Sequence, residues 1–272
     1  QCFGLQDTIG LMPQFTDRND IPGEWGSSGP MNGAIQPLIR VLSDDGRPVA
    51  APAVVIDQWK GAFAGGRWIF LNVKPDETFW RNGGAELIKA MAAKAAGKSR
   101  EIRIRPSCAS YYAGEQPSVI LYGETFGAAA TVTVKLEVRK DGHAVHEQRL
   151  VLALQSCEPV YRTFPLPLQV TEGLYEIAAE VSMDDGGHEM TLRNGFWGYD
   201  RELLRQAPEV TCGRDYFRIG GKTAPIVGMT YMASDVHRKF GWLPNPAVWD
   251  RDIAEMKRAG INMLRTGIWT GH

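Results

Sequence analysis

The period of the apolar positions changes along this chain, and each change marks a different kind of structure. Val132, Val134, Leu136 and Val138 alternate with Thr131, Thr133, Lys135, Glu137 and Arg139. A period of two places one face of a strand in a core and the other in water. Asp141-Gly142 follows as a tight-turn dipeptide, and 145–154 supplies the hairpin partner. Further runs at 119–122, 174–181 and 189–192 are punctuated by Glu172-Gly173 and Asp184-Asp185-Gly186-Gly187. About seven short strands between residues 106 and 200 predict an immunoglobulin-like β-sandwich.

On either side of this region the pattern is different. Residues 1–34 are rich in Gly, Pro, Asn and Asp and read as loop. Three short runs at 37–42, 53–57 and 67–73, separated by Asp44-Asp45-Gly46 and Gly65-Gly66, read as strands. Leu87, Ile88, Met91 and Ala95 then recur at helical spacing between Gly84 and Gly97, so 85–96 is a helix that closes the back half of an α/β layer. Beyond residue 208, Gly213-Arg214-Asp215 and Gly220-Gly221-Lys222 close a small meander. The uncharged run 225–232 has the composition of a strand buried on both faces, and a polar loop at 233–244 follows it. Asn245-Pro246 is an N-cap followed by proline at the first helical position, with Trp249, Ile253, Met256 and Gly260 on one stripe. Gly260 ends that helix, and 261–268 is again an apolar strand.

Strand, helix and strand in this order form a βαβ unit, which requires a parallel pair. Periodicity does not decide between a barrel and an open sheet. A dinucleotide fold would place a Gly-x-Gly-x-x-Gly turn after 225–232, where this chain has Tyr231-Met232-Ala233-Ser234. The expected organisation is multidomain α+β, comprising a partial α/β segment at 1–105, the sandwich at 106–207 and a βαβ unit at 208–272.

Composition narrows the function. Thirty basic side chains against 31 acidic ones leave a net charge of -1, which provides no field to attract nucleic acid. No apolar run approaches the ~20 residues of a bilayer span, so membrane insertion is not expected. Cys2, Cys108, Cys157 and Cys212 are scattered without a C-x-x-C pair, and no metal site is expected. A disulfide between Cys108 and Cys157 is compatible with a secreted protein, but spacing alone does not establish it. The start at Gln1 and the stop at His272 after an apolar run read as cuts, so the lack of a leader does not decide export. A periplasmic or extracellular location stays open, as does the oligomeric state.

Two stretches resemble known families. Gly66-Arg67-Trp68-Ile69-Phe70-Leu71 with Gly83-Gly84-Ala85-Glu86-Leu87-Ile88 resembles the end of the amidotransferase-like or flavodoxin-like accessory domain of some large glycosidases, and the likeness implies no catalysis. Phe217-Arg218-Ile219-Gly220-Gly221-Lys222, Gly228-Met229-Thr230-Tyr231 and the D-x-x-x-M-K-x-x-G-I-N-x-x-R pattern from Asp252 to Arg265 resemble the opening of the TIM barrel of retaining glycoside hydrolases. This is the clan of β-galactosidases, β-mannosidases, β-glucuronidases and cellulase-like enzymes, in several families of which a β-sandwich precedes the barrel.

The second resemblance implies a retaining mechanism with two carboxyl groups, one following an asparagine near the end of the fourth barrel strand and the other ending the seventh. The chain reaches only the second strand and has no Asn-Glu dipeptide, so it supplies no catalytic residue and is expected to be inactive by itself. Asp250, Asp252 and Glu255 are expected on the solvent side of the helix. The substrate-binding candidates lie at strand ends, where a barrel builds its site. Arg265 matches the clan's arginine that keeps the nucleophile ionised. Tyr231 and Trp269 could stack on a sugar, and His272 could hydrogen-bond its hydroxyls, whereas His237 reads as a loop residue. The implied partner is a carbohydrate, with no cofactor. The alternative is a non-catalytic carbohydrate-binding or cell-surface adhesion module.

Overall fold

The computed structural model describes residues 33–183, 188–233 and 243–267 of the 272-residue chain. The loop-like stretch before residue 33, the turn at 184–187, His237, Trp269 and His272 lie outside the described residues. Strands dominate what is described.

The first three strands, β1 (Gly33–Leu42), β2 (Pro48–Gln58) and β3 (Arg67–Leu71), form a sheet in the order β1-β2-β3. Both pairings are antiparallel. This differs from the parallel layer that the flavodoxin-like resemblance implies, and the reason is the length of the connections. The β1–β2 turn closes through Gly46 N–H donating to Ser43 O at 2.8 Å, and only Trp59 to Gly66 join β2 to β3. A parallel return needs roughly a dozen residues or more. Across this pair Arg67 Nε donates to Asp57 Oδ1 at 2.6 Å, and both side chains are buried. Helices α1 (Glu77–Arg81) and α2 (Gly84–Ala96) follow, and α2 packs beside β3. The fully buried Phe79 ring lies against Gly84, where a Cβ would come within 2.3 Å of it.

The sandwich contains β4 (Arg100–Pro106), β5 (Ser110–Tyr111), β6 (Ser118–Thr125), β7 (Ala130–Lys140), β8 (His143–Leu154), β9 (Val160–Pro165), β10 (Gly173–Met183) and β11 (His188–Gly198). A five-stranded sheet, β5-β11-β10-β7-β8, faces a three-stranded one, β4-β6-β9. By pairing, β4 belongs to the sandwich although it precedes residue 106. The period-two expectation for β7 is met, since Val132, Val134, Leu136 and Val138 are all fully buried. Asp141 and Gly142 take φ of 51° and 77° between β7 and β8, the left-handed pair that a two-residue hairpin turn needs. Tyr175 stacks on Phe196 at 4.8 Å, and its hydroxyl accepts from Thr171 N–H at 2.9 Å. A tyrosine hydroxyl bonded back to the backbone just upstream is a tyrosine corner, a device of immunoglobulin-like sandwiches.

After α3 (Arg201–Gln206), strands β12 (Val210–Cys212), β13 (Phe217–Ile219) and β14 (Lys222–Ala224) form the expected meander. β15 (Gly228–Thr230), α4 (Pro246–Arg258) and β16 (Met263–Arg265) then make the βαβ unit, with β15 and β16 parallel. Two strands do not close a barrel. The run 225–232 is not buried on both faces as its composition suggests, because Ile226, Val227, Met229 and Met232 are all exposed. Burial on both faces requires flanking layers, which these strands lack among the described residues. Cys108, Cys157 and Cys212 are free and exposed, so the conceivable Cys108–Cys157 disulfide does not form.

Candidate functional site

The βαβ unit is held to the sandwich at the start of α4. Asn245 Oδ1 caps Val248 N–H at 3.3 Å, and Asn245 Nδ2 donates to Arg193 O on β11 at 3.0 Å. The capping residue is thus also the docking residue. Opposite it, Gly195 has room only for hydrogen, since a Cβ there would lie 2.7 Å from Tyr175 O and 3.1 Å from Ala247 Cβ. Trp197 and Trp249 meet at 5.9 Å beside this contact.

At the far end of α4, Gly260 (φ 84°) lets the chain turn towards β16. Asn262 then fastens the turn, its Oδ1 accepting from Val227 N–H at 2.9 Å and its Nδ2 donating to Pro225 O at 2.8 Å. These bonds give a physical reason for the Gly-Ile-Asn segment, since the asparagine sets β16 in register with β15.

At the carboxyl ends of this pair, Thr230 lies opposite Arg265, and Tyr231 N–H donates to Arg265 O at 2.8 Å. The structure therefore brings two of the four predicted site residues together. Arg265 is exposed and Tyr231 is buried. The Tyr231 hydroxyl donates to Asp252 Oδ2 at 3.2 Å, and Arg251 Nη2 approaches Asp252 Oδ1 at the same distance. Asp252 therefore does not face solvent as expected. It receives the tyrosine that ends the first strand, while Glu255 keeps the exposed position and pairs with Arg258. A phenol held by a carboxylate through its hydroxyl acts as a fixed wall more than as a free stacking surface. Neither described strand ends in a carboxylate, since β15 ends at Thr230 and β16 at Arg265. Among the described residues no group of three or more His, Cys, Asp or Glu could hold a metal ion.

A second cluster lies on the outer face of β4-β6-β9. The register sets Arg103 opposite Tyr122 and Tyr122 opposite Tyr161, a row across three strands. The tyrosine rings are 4.9 Å apart, and the Arg103 guanidinium lies 5.3 Å from the Tyr122 ring and 5.7 Å from that of Trp59. Trp59 reaches this face from the β2–β3 connection and is anchored by its Nε1–H donating to Arg100 O at 3.1 Å. The buried Glu101 pairs with Arg103, and the Tyr122 hydroxyl donates to Glu124 Oε2 at 2.8 Å. Burial, reinforced by the bond to Glu124, pushes the Tyr122 hydroxyl well above its ordinary pKa, so it stays a donor at neutral pH. Burial also lowers Arg103 from its ordinary value. The three residues of this row and Trp59 lie between positions 59 and 161, and only the tertiary fold brings them together.

No protein-family model matches the chain, and no curated protein is similar to it. Among solved structures, a β-glucuronidase from Bacteroides uniformis is similar over 63% of this chain and 20% of its own, at 14% identity and a TM-score of 0.33. A β-glucosidase from Erythrobacter marinus covers 37% of this chain and 15% of its own, at 15% identity and a TM-score of 0.29. A CARDB domain from Pyrococcus furiosus covers 37% and 88%, at 13% identity and a TM-score of 0.30. These likenesses are too distant to place the chain in a family. It spans a fifth or less of the two glycosidase chains.

Proposed function

We propose that this chain is part of a retaining glycoside hydrolase acting on β-linked carbohydrate, and that it lacks both catalytic carboxylates. The observation that supports this best is the parallel β15–α4–β16 unit that follows the sandwich and the β12–β14 meander, with Arg265 at the carboxyl end of its second strand. That is the position from which a cation can hold a nucleophilic carboxylate ionised. In this reading 1–105 is an accessory segment, 106–207 the sandwich and 208–272 the opening of the catalytic barrel, with Tyr231, Trp269 and His272 also near the substrate.

The test is to express the chain together with the coding sequence that follows His272. The longer protein is assayed on nitrophenyl β-glycosides and trapped with 2-fluoro-glycosides. Hydrolysis, with label on a glutamate that ends the seventh strand, is the expected result, and the 272-residue chain alone should neither hydrolyse nor be labelled. In the longer enzyme Arg265→Met should move the acid limb of the kcat/KM profile to higher pH, because losing a neighbouring cation raises a carboxylate's pKa. Absence of both hydrolysis and labelling across the panel would reject the proposal. In the alternative role, as a carbohydrate-binding or adhesion module, the longer protein would bind oligosaccharide without hydrolysing it.

A further inference from the structure

The Arg103–Tyr122–Tyr161 row lines a cleft of about 420 Å³ together with Trp59, Lys60 and Leu243. That volume is within the range of small-ligand sites. A second cavity of about 260 Å³ shares the walls Trp59, Arg103, Arg105 and Leu243 with it, so a ligand longer than one ring has a neighbouring space to reach. Tyr161 is 63% exposed within this concave surface. A ring with an apolar face and a polar edge, left open in a cleft, offers stacking to a ligand of the same mixed character.

Charge narrows the ligand further. Trp59 and Tyr122 could cage a cation, but Arg103 already occupies that place. Lys60, Arg103 and Arg105 line the cleft together with Glu101 and Glu124, so its wall carries both signs and presents no uniform field to a phosphate chain. The chemistry that remains is a neutral ring with an apolar CH face and a rim of hydroxyls. Glu124 accepts one bond from Tyr122 and, as a carboxylate, has further lone-pair positions for sugar hydroxyls. Arg105 lies exposed on the same wall as a donor.

We propose that this cleft binds a neutral pyranose oligosaccharide, stacked on Tyr161 and hydrogen-bonded by Glu124 and Arg105. The site is built mainly by the sandwich and Trp59 and Lys60 of its amino-terminal neighbour, with Leu243 added from the β15–α4 connection, and it stands whether or not a longer chain hydrolyses glycosides. The test titrates the whole 272-residue chain with cellohexaose, mannohexaose and xylohexaose by calorimetry, following Trp fluorescence in parallel. Saturable binding of at least one is expected. Tyr161→Ala should weaken it about tenfold or more and Glu124→Gln several-fold, while Tyr216→Ala, an equally exposed tyrosine on the meander, should leave it unchanged. Circular dichroism checks that each variant is folded. Failure of all three sugars to bind at millimolar concentration, binding that survives Tyr161→Ala, or binding of tetragalacturonic acid alone would overturn the proposal. None of these results bears on whether the longer chain is a hydrolase.

Discussion

The sandwich and the βαβ unit are written in similar apolar residues but fold to different degrees of burial. In β7, Leu136 and its three alternating valines are completely shielded, because β4-β6-β9 covers that face. In β15, Met229 is 43% exposed, and its neighbours Ile226 and Val227 are open as well. Side-chain chemistry is not what separates them. Among the described residues one strand has a second layer against it and the other does not, and the hydrophobic term counts only area removed from water.

Truncation should expose this contrast most strongly. Leu136→Ala removes a fully enclosed side chain and should lower unfolding stability by about 2–5 kcal/mol, read from the shift in denaturant midpoint. If the loss were below about 1 kcal/mol, the sandwich would not be the stability core. The junction between the two regions comes next. Gly195→Ala pushes a methyl group between Tyr175 O and Ala247 and should cost roughly 1–3 kcal/mol by overpacking. It should also make 200–260 more sensitive to protease than the sandwich and alter the fluorescence of the Trp197–Trp249 pair. Unchanged proteolysis would mean that α4 is held elsewhere.

Within the βαβ unit, Asn262→Ala removes the two bonds that fasten the turn to β15. A loss of about 1–2 kcal/mol is expected, confined to this unit, with faster amide exchange at Val227 and no change in the sandwich. The smallest effect should come from Met229→Ser, on the exposed face of β15, at about 0.5 kcal/mol or less. A loss comparable to that of Leu136→Ala would show that this face is covered in solution, and the contrast between the two regions would disappear.

Local features were legible in the sequence wherever a few adjacent residues carry the physics. Asn245-Pro246 announced the start of α4, the alternation at 132–138 announced a half-buried strand, and Asp141-Gly142 announced its turn. The sandwich as a class followed from strand density, and the βαβ order correctly implied a parallel pair. Composition marks the three strands of 33–71 but does not set their direction. Their short connections forced antiparallel pairing. Asp252 was misread because helix periodicity does not reveal that Tyr231 reaches back to it.

What the sequence determined by itself, then, is the type and order of the strongly patterned elements, since propensity, alternation and capping act over fewer than about ten residues, whereas β4, β5, β9, α1 and α3 do not stand out in this way. The pattern gave a strand over 261–268, and the structure shortens it to Met263–Arg265, so that Arg265 ends it as the family resemblance implies. Only the tertiary structure decided that α4 docks on β11 through Asn245 and Gly195, and that β4 joins the sandwich ahead of residue 106. The meeting of Trp59, Arg103, Tyr122 and Tyr161 in one cleft was likewise decided there. These arrangements depend on pairings between residues far apart along the chain. No local pattern encodes them, because they become favourable only when a distant partner has arrived to share the buried surface or the hydrogen bond.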